Sequence, residues 1–381
     1  MIRPMDSIPA HLTPYADRWM VEPRAASRAW FKEARFGLFV HYGLYSLLEA
    51  GEWVQYERQI PPDEYGKLAA RFTASRFDAD QITELACEAR MRYVNLVTCH
   101  HDGFAMWDST VEPFNARRSA ARRDFVAEMA EQCRRKGLGL FVYYTYALNW
   151  RHPYFMDNGR LGFARPHYPT RPPQYRYTGP ADFERYVDYA HAAMTELLTH
   201  YGPLAGVWLD IISAAYAMPE LIPVERTYAL VRRLQPHALI AYKQGATGTE
   251  DFASCEFEAG SLAATMRERY GDAAARIADA AWTANRSKHN EVCATMAKGW
   301  GRAANDVQKS PDEVLAMLGL AQSAGCNLLL NVGPLPDGSL PDEAVRTLRE
   351  VGCRIDREGW PSKPPAGDRD VYPARPPAVI V

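Results

Sequence analysis

Residues 30–43 read WFKEARFGLFVHYG, and residues 93–104 read YVNLVTCHHDGF. In each, an apolar run of strand type (residues 36–42 and 93–98) opens into a cluster of His, Gly and Asp. Near-continuous hydrophobicity marks strands covered on both faces, as in a parallel sheet. The pattern recurs at residues 138–144, 205–209, 239–242 and 327–332. Helical periodicities fall between these runs, at residues 79–90, 123–136, 182–201, 224–234 and 311–324. In the last, Ser310, Pro311 and Glu313 supply an N-cap, a first-turn proline and an early acid. This βα alternation admits a doubly wound sheet or a closed barrel. Polar residues end many of the strands instead of gathering at one switch point, which favours a TIM-like (β/α)8 barrel of the α/β class.

The bulk composition narrows the function classes. A chain of 381 residues, 47% hydrophobic and 24% charged, has the material for one barrel with a large core. Its net charge is −2, and basic residues occur in short pieces such as Arg117-Arg118 and Arg122-Arg123. Nucleic-acid binding needs a basic face, so that class is disfavoured. Twelve per cent aromatic residues with nine Trp suits sugar-stacking surfaces, although large cores also hold many aromatics. Seven Cys, odd in number and without a CxxC pair, suit a reducing compartment better than a disulfide framework. The N-terminus, MIRPMDSIPAHLTPYADRW, lacks the continuous apolar stretch of a signal peptide, and no run approaches a membrane span. A soluble, cytoplasmic protein without a membrane partner is expected.

Six stretches carry a more specific signal. They are WFKEARFGLFVHYGLYS (30–46), the pair Glu52-Trp53, YVNLVTCHHDGFAMWDS (93–109) and RDFVAEMAEQCRRKGLGLFVYYTYALNW (123–150), then GVWLD (206–210) with GCNLLLNVGPLPDG (325–338). In content and order they resemble the α-L-fucosidase family of glycoside hydrolases, over residues 30 to about 360. The resemblance implies a catalytic barrel over residues 30–360, an N-terminal extension over 1–29 and a Pro-rich tail over 361–381. It also implies a form without the C-terminal β-sandwich domain that family members commonly carry. Residues 151–180, rich in Pro, Tyr and Arg, read as a long loop between a strand and its helix, a common place for substrate contacts.

The resemblance further implies a retaining exo-α-L-fucosidase that acts by double displacement on fucosylated oligosaccharides or glycoconjugates, with transfer to another sugar left open. Neither a cofactor nor a metal is called for, and a homo-oligomer stays open. Asp210 closes a strand at the barrel mouth, where a carboxylate can attack an anomeric carbon or cap a following helix. Similarity to the family makes it the nucleophile. Many members have Gly next, whereas this chain has Ile211, which alters the shape of the loop. The acid/base maps to Glu256 through the D-F-x-x-x-E spacing from Asp251-Phe252, with Glu250, Asp251, Glu258 and Glu291 as competitors.

His41, His100 and His101 end strands, and neutral imidazoles both donate to and accept from hydroxyls. Adjacent strand residues face opposite ways, so His100 and His101 can share a ligand only if the strand has already ended. The resemblance places all three near the sugar. It adds Glu52 and Trp53 as a pair gripping hydroxyls and flanking the ring, and Tyr143 and Trp208 as pocket walls, Trp208 against the C5 methyl of a 6-deoxy sugar. Lys243 stands where the family more often has Arg, and the two differ in bidentate binding. Asn331 and Gly333 are read as turn-shaping residues. Two other readings compete: a metal-dependent barrel hydrolase using His100, His101, Asp102 and Asp210, and a non-catalytic sugar-binding relative.

Overall fold

In the computed structural model, which describes residues 8–257 and 259–361, eight parallel strands close into a barrel in sequence order. They are β1 (Phe36–Val40), β2 (Tyr93–Cys99), β3 (Gly139–Tyr144), β4 (Gly206–Leu209), β5 (Leu239–Lys243), β6 (Phe252–Glu256), β7 (Asn290–Thr295) and β8 (Cys326–Val332). Pairing of β8 with β1, from Phe36–Leu328 to Val40–Val332, completes the ring. Long helices such as Phe125–Lys136, Pro180–His200 and Asp342–Glu358 follow strands. This is the (β/α)8 barrel expected from the sequence. The helix Pro311–Ser323 opens with the anticipated capping box between Ser310 and Glu313. Among the described residues no helix is long and apolar enough to cross a membrane.

Two strands and several helices depart from the sequence reading. The sequences of β6, FASCE, and of β7, NEVCAT, lack an apolar run and were not recognised as strands. Their polarity has an internal cause. Glu291 points into the barrel and accepts from Tyr93 OH at 2.5 Å, Ser254 Oγ at 2.6 Å and Trp208 Nε1 at 3.1 Å. A buried polar cluster with its partners in place replaces hydrophobic filling at this level. The helices Asp272–Asn285 and Asp342–Glu358 were likewise not anticipated.

The floor of the barrel is built by residues that precede β1. The boundary at 29/30 falls inside one helix, Pro23–Ala34, which carries Trp30 and Phe31 beneath the strands. Phe31 stacks on Phe252 at 4.0 Å, and Trp30 lies against Phe141 and Tyr93. The strands make room for these rings with glycine. A Cβ on Gly139 would stand 2.4 Å from the Trp30 ring, and one on Gly37 would stand 2.3 Å from Tyr93. The turn of 3-10 helix at Ala10–Tyr15 adds Leu12 and His11, the latter packed on Trp30 at 4.6 Å. Residues 362–381, most of the Pro-rich tail, and Glu258 lie outside the described residues.

Burial at the floor has a consequence for pH. Burial lowers His11 to about 3, with help from His237, and lowers His237 to about 4. Both values lie below the unfolded value of about 6.5, so the fold favours the neutral rings. Their stabilisation is complete above pH 6.5 and fades as pH falls toward 4 and 3, because the unfolded chain binds the protons first. Melting temperature should therefore fall on acidification from pH 6.5 to 5. A His11→Phe variant, which keeps the packing on Trp30, should show a shallower fall. An unchanged slope would exclude His11 as a contributor.

Candidate active site

Inward-facing positions on a strand recur every second residue, so the last inward residue of each strand lands at the rim of the barrel. Phe39 leads to His41, Phe141 to Tyr143, Trp208 to Asp210, Ala241 to Lys243 and Ser254 to Glu256. All five rim residues line one cavity of about 420 Å³ at the C-terminal end of the barrel. Glu52, Trp53, His100, His101 and Trp208 line it too, so every site residue named from the sequence meets in one place.

Asp210 is almost entirely enclosed. Tyr143 OH donates to its Oδ2 at 2.5 Å, and the backbone N–H of Ile211 donates to Oδ1 at 2.7 Å. Thr145 Oγ1 in turn donates to Tyr143 OH at 2.9 Å, which aligns the phenol with the carboxylate. The next helix, Ile212–Ala217, starts without a side-chain cap, so Asp210 does not serve as its N-cap. Ile211 adopts φ 67° and ψ 61°, a left-handed conformation that is costly for a β-branched residue. The chain thus keeps the turn that Gly would take freely, and its N–H is aimed at Asp210.

Lys243 joins the two acids of the rim. Its Nζ lies 2.9 Å from Glu256 Oε2 and 3.7 Å from Asp210 Oδ1. Those two oxygens are therefore no farther apart than the sum of the distances, 6.6 Å. The paired carboxylates raise the lysine above its usual range against the effect of burial. Of the competing acids that are described, none lines this cavity. Asp251 precedes β6 at the opposite end, bound by Arg28, Arg24 and Arg232. Glu250 accepts from Tyr228, Asn285 and the Gly248 N–H, and Glu291 is committed to the layer below.

The polar wall opposite is made of neutral groups. Strand β2 ends at Cys99 after an irregularity in its register, so His100 and His101 have left the pleat and both turn to the cavity. His100 stacks on Tyr143, with planes 8° apart, and His101 lies between Trp53 and Trp150. Burial lowers His100 to about 3, with a contribution from Lys243, and lowers His41 and His101 well below 6.5. Asn331 Nδ2 donates to Trp300 O, which leaves its Oδ1 to accept from His41 Nδ1 at 2.6 Å. Nε2 of the neutral His41 is then an acceptor. Both ring nitrogens of His101 and Nδ1 of His100 are buried without a hydrogen-bond partner, which suits a ligand rich in hydroxyls. Burial raises Glu52 to about 7, opposed by the Gly301 N–H that donates to its Oε2 at 2.8 Å.

The sequence reading missed several pocket residues. Trp300 lies 5.2 Å from His41 and 5.8 Å from Phe39 and donates from Nε1 to Glu256 Oε1 at 3.1 Å. Its only sequence signal was the Gly299-Trp300-Gly301 turn soon after β7, a strand that was itself not recognised. Trp150 emerges from the loop between β3 and its helix, where Arg165 ties down the carbonyls of Asn149, Trp150, His152 and Phe155. None of residues 151–180 lines the cavity: Trp150, just before them, backs His101, and Phe163 packs behind Trp53. The donors of the metal-dependent alternative do not converge. Asp102 is taken up by Tyr65 OH at 2.8 Å and the Phe104 N–H, and among the described residues no metal-holding group of His, Cys, Asp and Glu occurs.

The sequence model described as alpha-L-fucosidase matches residues 6–359. Tissue alpha-L-fucosidase of Bos taurus is 33% identical over 175 residues, 41% of this chain and 37% of its own length. Plasma alpha-L-fucosidase of Rattus norvegicus is 25% identical over 91% of this chain and 72% of its own length. Among solved structures, the alpha-L-fucosidase of Lactobacillus casei in complex with alpha-L-fucose superposes with a TM-score of 0.70. It is 28% identical, over 87% of this chain and 98% of its own. An aspartate-to-alanine mutant of that enzyme has been seen with 4-nitrophenyl-α-L-fucopyranoside and with Fucα(1,6)GlcNAc. With a family match across nearly its whole length and the barrel to go with it, this chain belongs to the α-L-fucosidase family of glycoside hydrolases.

Proposed function

We propose that the protein is a retaining exo-α-L-fucosidase that removes terminal α-L-fucosyl residues, with Asp210 as nucleophile and Glu256 as acid/base. The observation that carries this reading is the pair of rim carboxylates within 6.6 Å, bridged by Lys243. Retaining enzymes hold their two carboxyls about 5–5.5 Å apart, and inverting enzymes need about 6.5–9.5 Å to admit a water. A bound of 6.6 Å supports the closer arrangement. In the first step an Asp210 oxygen attacks the anomeric carbon while the glycosidic C–O bond breaks, and Glu256 gives the departing oxygen a proton. In the second step Glu256 takes a proton from water, whose oxygen displaces Asp210 and regenerates both groups. A sugar hydroxyl in place of that water would give transfer instead of hydrolysis.

The surrounding groups suit fucose. Glu52, His41, His100 and His101 supply donors and acceptors for the ring hydroxyls, and Phe39, Trp208 and Trp300 offer an apolar surface for the C5 methyl group. The Lactobacillus casei neighbour binds α-L-fucose and its glycosides, which supports the same substrate class here. Seven free thiols fit a cytoplasmic setting. The deciding measurement is a screen of 4-nitrophenyl α-L-fucoside, β-D-galactoside and α-L-arabinoside, with NMR of the first-formed sugar. Release of α-fucose from the first substrate alone is expected. First-formed β-fucose would overturn retention, and no turnover of any glycoside would favour a sugar-binding relative.

A further inference from the structure

The segment after β7, residues 297–306, is laced to its neighbours on both sides. Ala303 bridges Ala50, Gly51 N donates to Arg302 O and Ala304 N donates to Glu49 O, which joins the segment to the loop after β1. On the other side Asn331 Nδ2 donates to Trp300 O at 2.7 Å. The packing leaves no slack. A Cβ on Gly301 would stand 2.7 Å from Glu52 N, and one on Gly333 would stand 2.9 Å from Arg302 N and 3.0 Å from Trp300 O. At the centre of this strap two successive residues each grip a carboxyl of the pocket. Gly301 holds Glu52 through its backbone N–H, and Trp300 holds Glu256 through its indole N–H.

We propose that Trp300 is a positioning residue for the acid/base, acting through its Nε1–H and not only as a wall of the sugar pocket. The inference rests on the reading of Glu256 as acid/base. Glu256 is the last residue of its strand, and the chain turns away at Phe257, which is left-handed while its N–H still donates to Cys293 O at 2.9 Å. Two donors set the carboxyl plane: Lys243 Nζ at Oε2 and Trp300 Nε1 at Oε1. Neither donor can accept a proton, so both fix orientation without competing for the proton that Glu256 transfers. Lys243 fixes one oxygen of the carboxyl. The indole supplies the second point, and the strap makes that point rigid because Trp300 O is itself anchored on β8.

The discriminating variant is Trp300→Phe, which keeps an aromatic face toward His41 and Phe39 but removes the donor. A misaligned general acid harms departure of poor leaving groups most, since a nitrophenolate leaves without a proton. On Fucα(1,6)GlcNAc, kcat should fall about tenfold or more with KM within about twofold, a loss of roughly 1.4 kcal/mol in the transition state. On 4-nitrophenyl α-L-fucoside the fall should be several times smaller. In a Glu256→Ala background the same change should add nothing on either substrate, because the group it positions is gone. Equal losses on both substrates, a change confined to KM, or full additivity with Glu256→Ala would each overturn the inference. If Glu256→Ala by itself shows no dependence on the leaving group, the fault lies with the acid/base reading and not with the strap.

Discussion

Asp210→Ala should lower kcat on 4-nitrophenyl α-L-fucoside by at least about a thousandfold, or roughly 4 kcal/mol of barrier. The proposed mechanism gives the covalent step to Asp210, the rim carboxylate that Tyr143, Ile211 N–H and Lys243 hold in one orientation. The fold should survive the change. Lys243 retains Glu256 as its partner at 2.9 Å, and Tyr143 retains Thr145 at 2.9 Å, so no buried charge is stranded. Azide, small enough to enter the space of the lost carboxyl, should restore part of the turnover. It would attack from the face Asp210 occupied and give β-fucosyl azide, inverted with respect to the substrate. A variant with near wild-type rate, or azide product of retained configuration, would remove Asp210 from the role of nucleophile.

Removal of Glu256 should have the next largest effect, and one with a different signature. General acid–base assistance is worth about 10²–10⁴-fold, so Glu256→Ala should lose about that much on a fucosyl disaccharide. With a nitrophenyl leaving group the first step still proceeds, while the second lacks its base. Nitrophenol should then appear as a burst equal to the enzyme present, followed by a slow steady state set by hydrolysis of the ester to Asp210. Azide should here give α-fucosyl azide, the configuration opposite to that from Asp210→Ala, because it intercepts the covalent intermediate. A monotonic slow rate without a burst, and equal losses on both substrates, would move the acid/base role to another residue.

Apolar runs and strand-end polar residues were sufficient, from the sequence, to recognise six of the strands, the parallel barrel, and the rim positions of His41, Asp210 and Lys243. These features are local: a doubly covered strand must be apolar, and the residue two positions past a buried inward one shares its direction. The sequence also carried the family motifs that brought Glu52, Trp53, His100, His101, Trp208 and Glu256 into consideration. It put Glu256 first by spacing but left Glu250, Asp251, Glu258 and Glu291 in competition, because acids on or beside polar strands look alike along the chain. Closure of the barrel separates those of them that the structure describes. Asp251 is sent to the floor beside Arg28 and Arg232, Glu291 to the interior beneath Trp208, and Glu256 to the rim beside Lys243. The exit of His100 and His101 from the pleat, the tautomer of His41 and the grip of Trp300 on Glu256 were equally invisible. Each depends on the approach of groups 1 to 290 positions apart in sequence, such as His41 and Asn331, and on the exclusion of water that turns a weak polar contact into a fixed one.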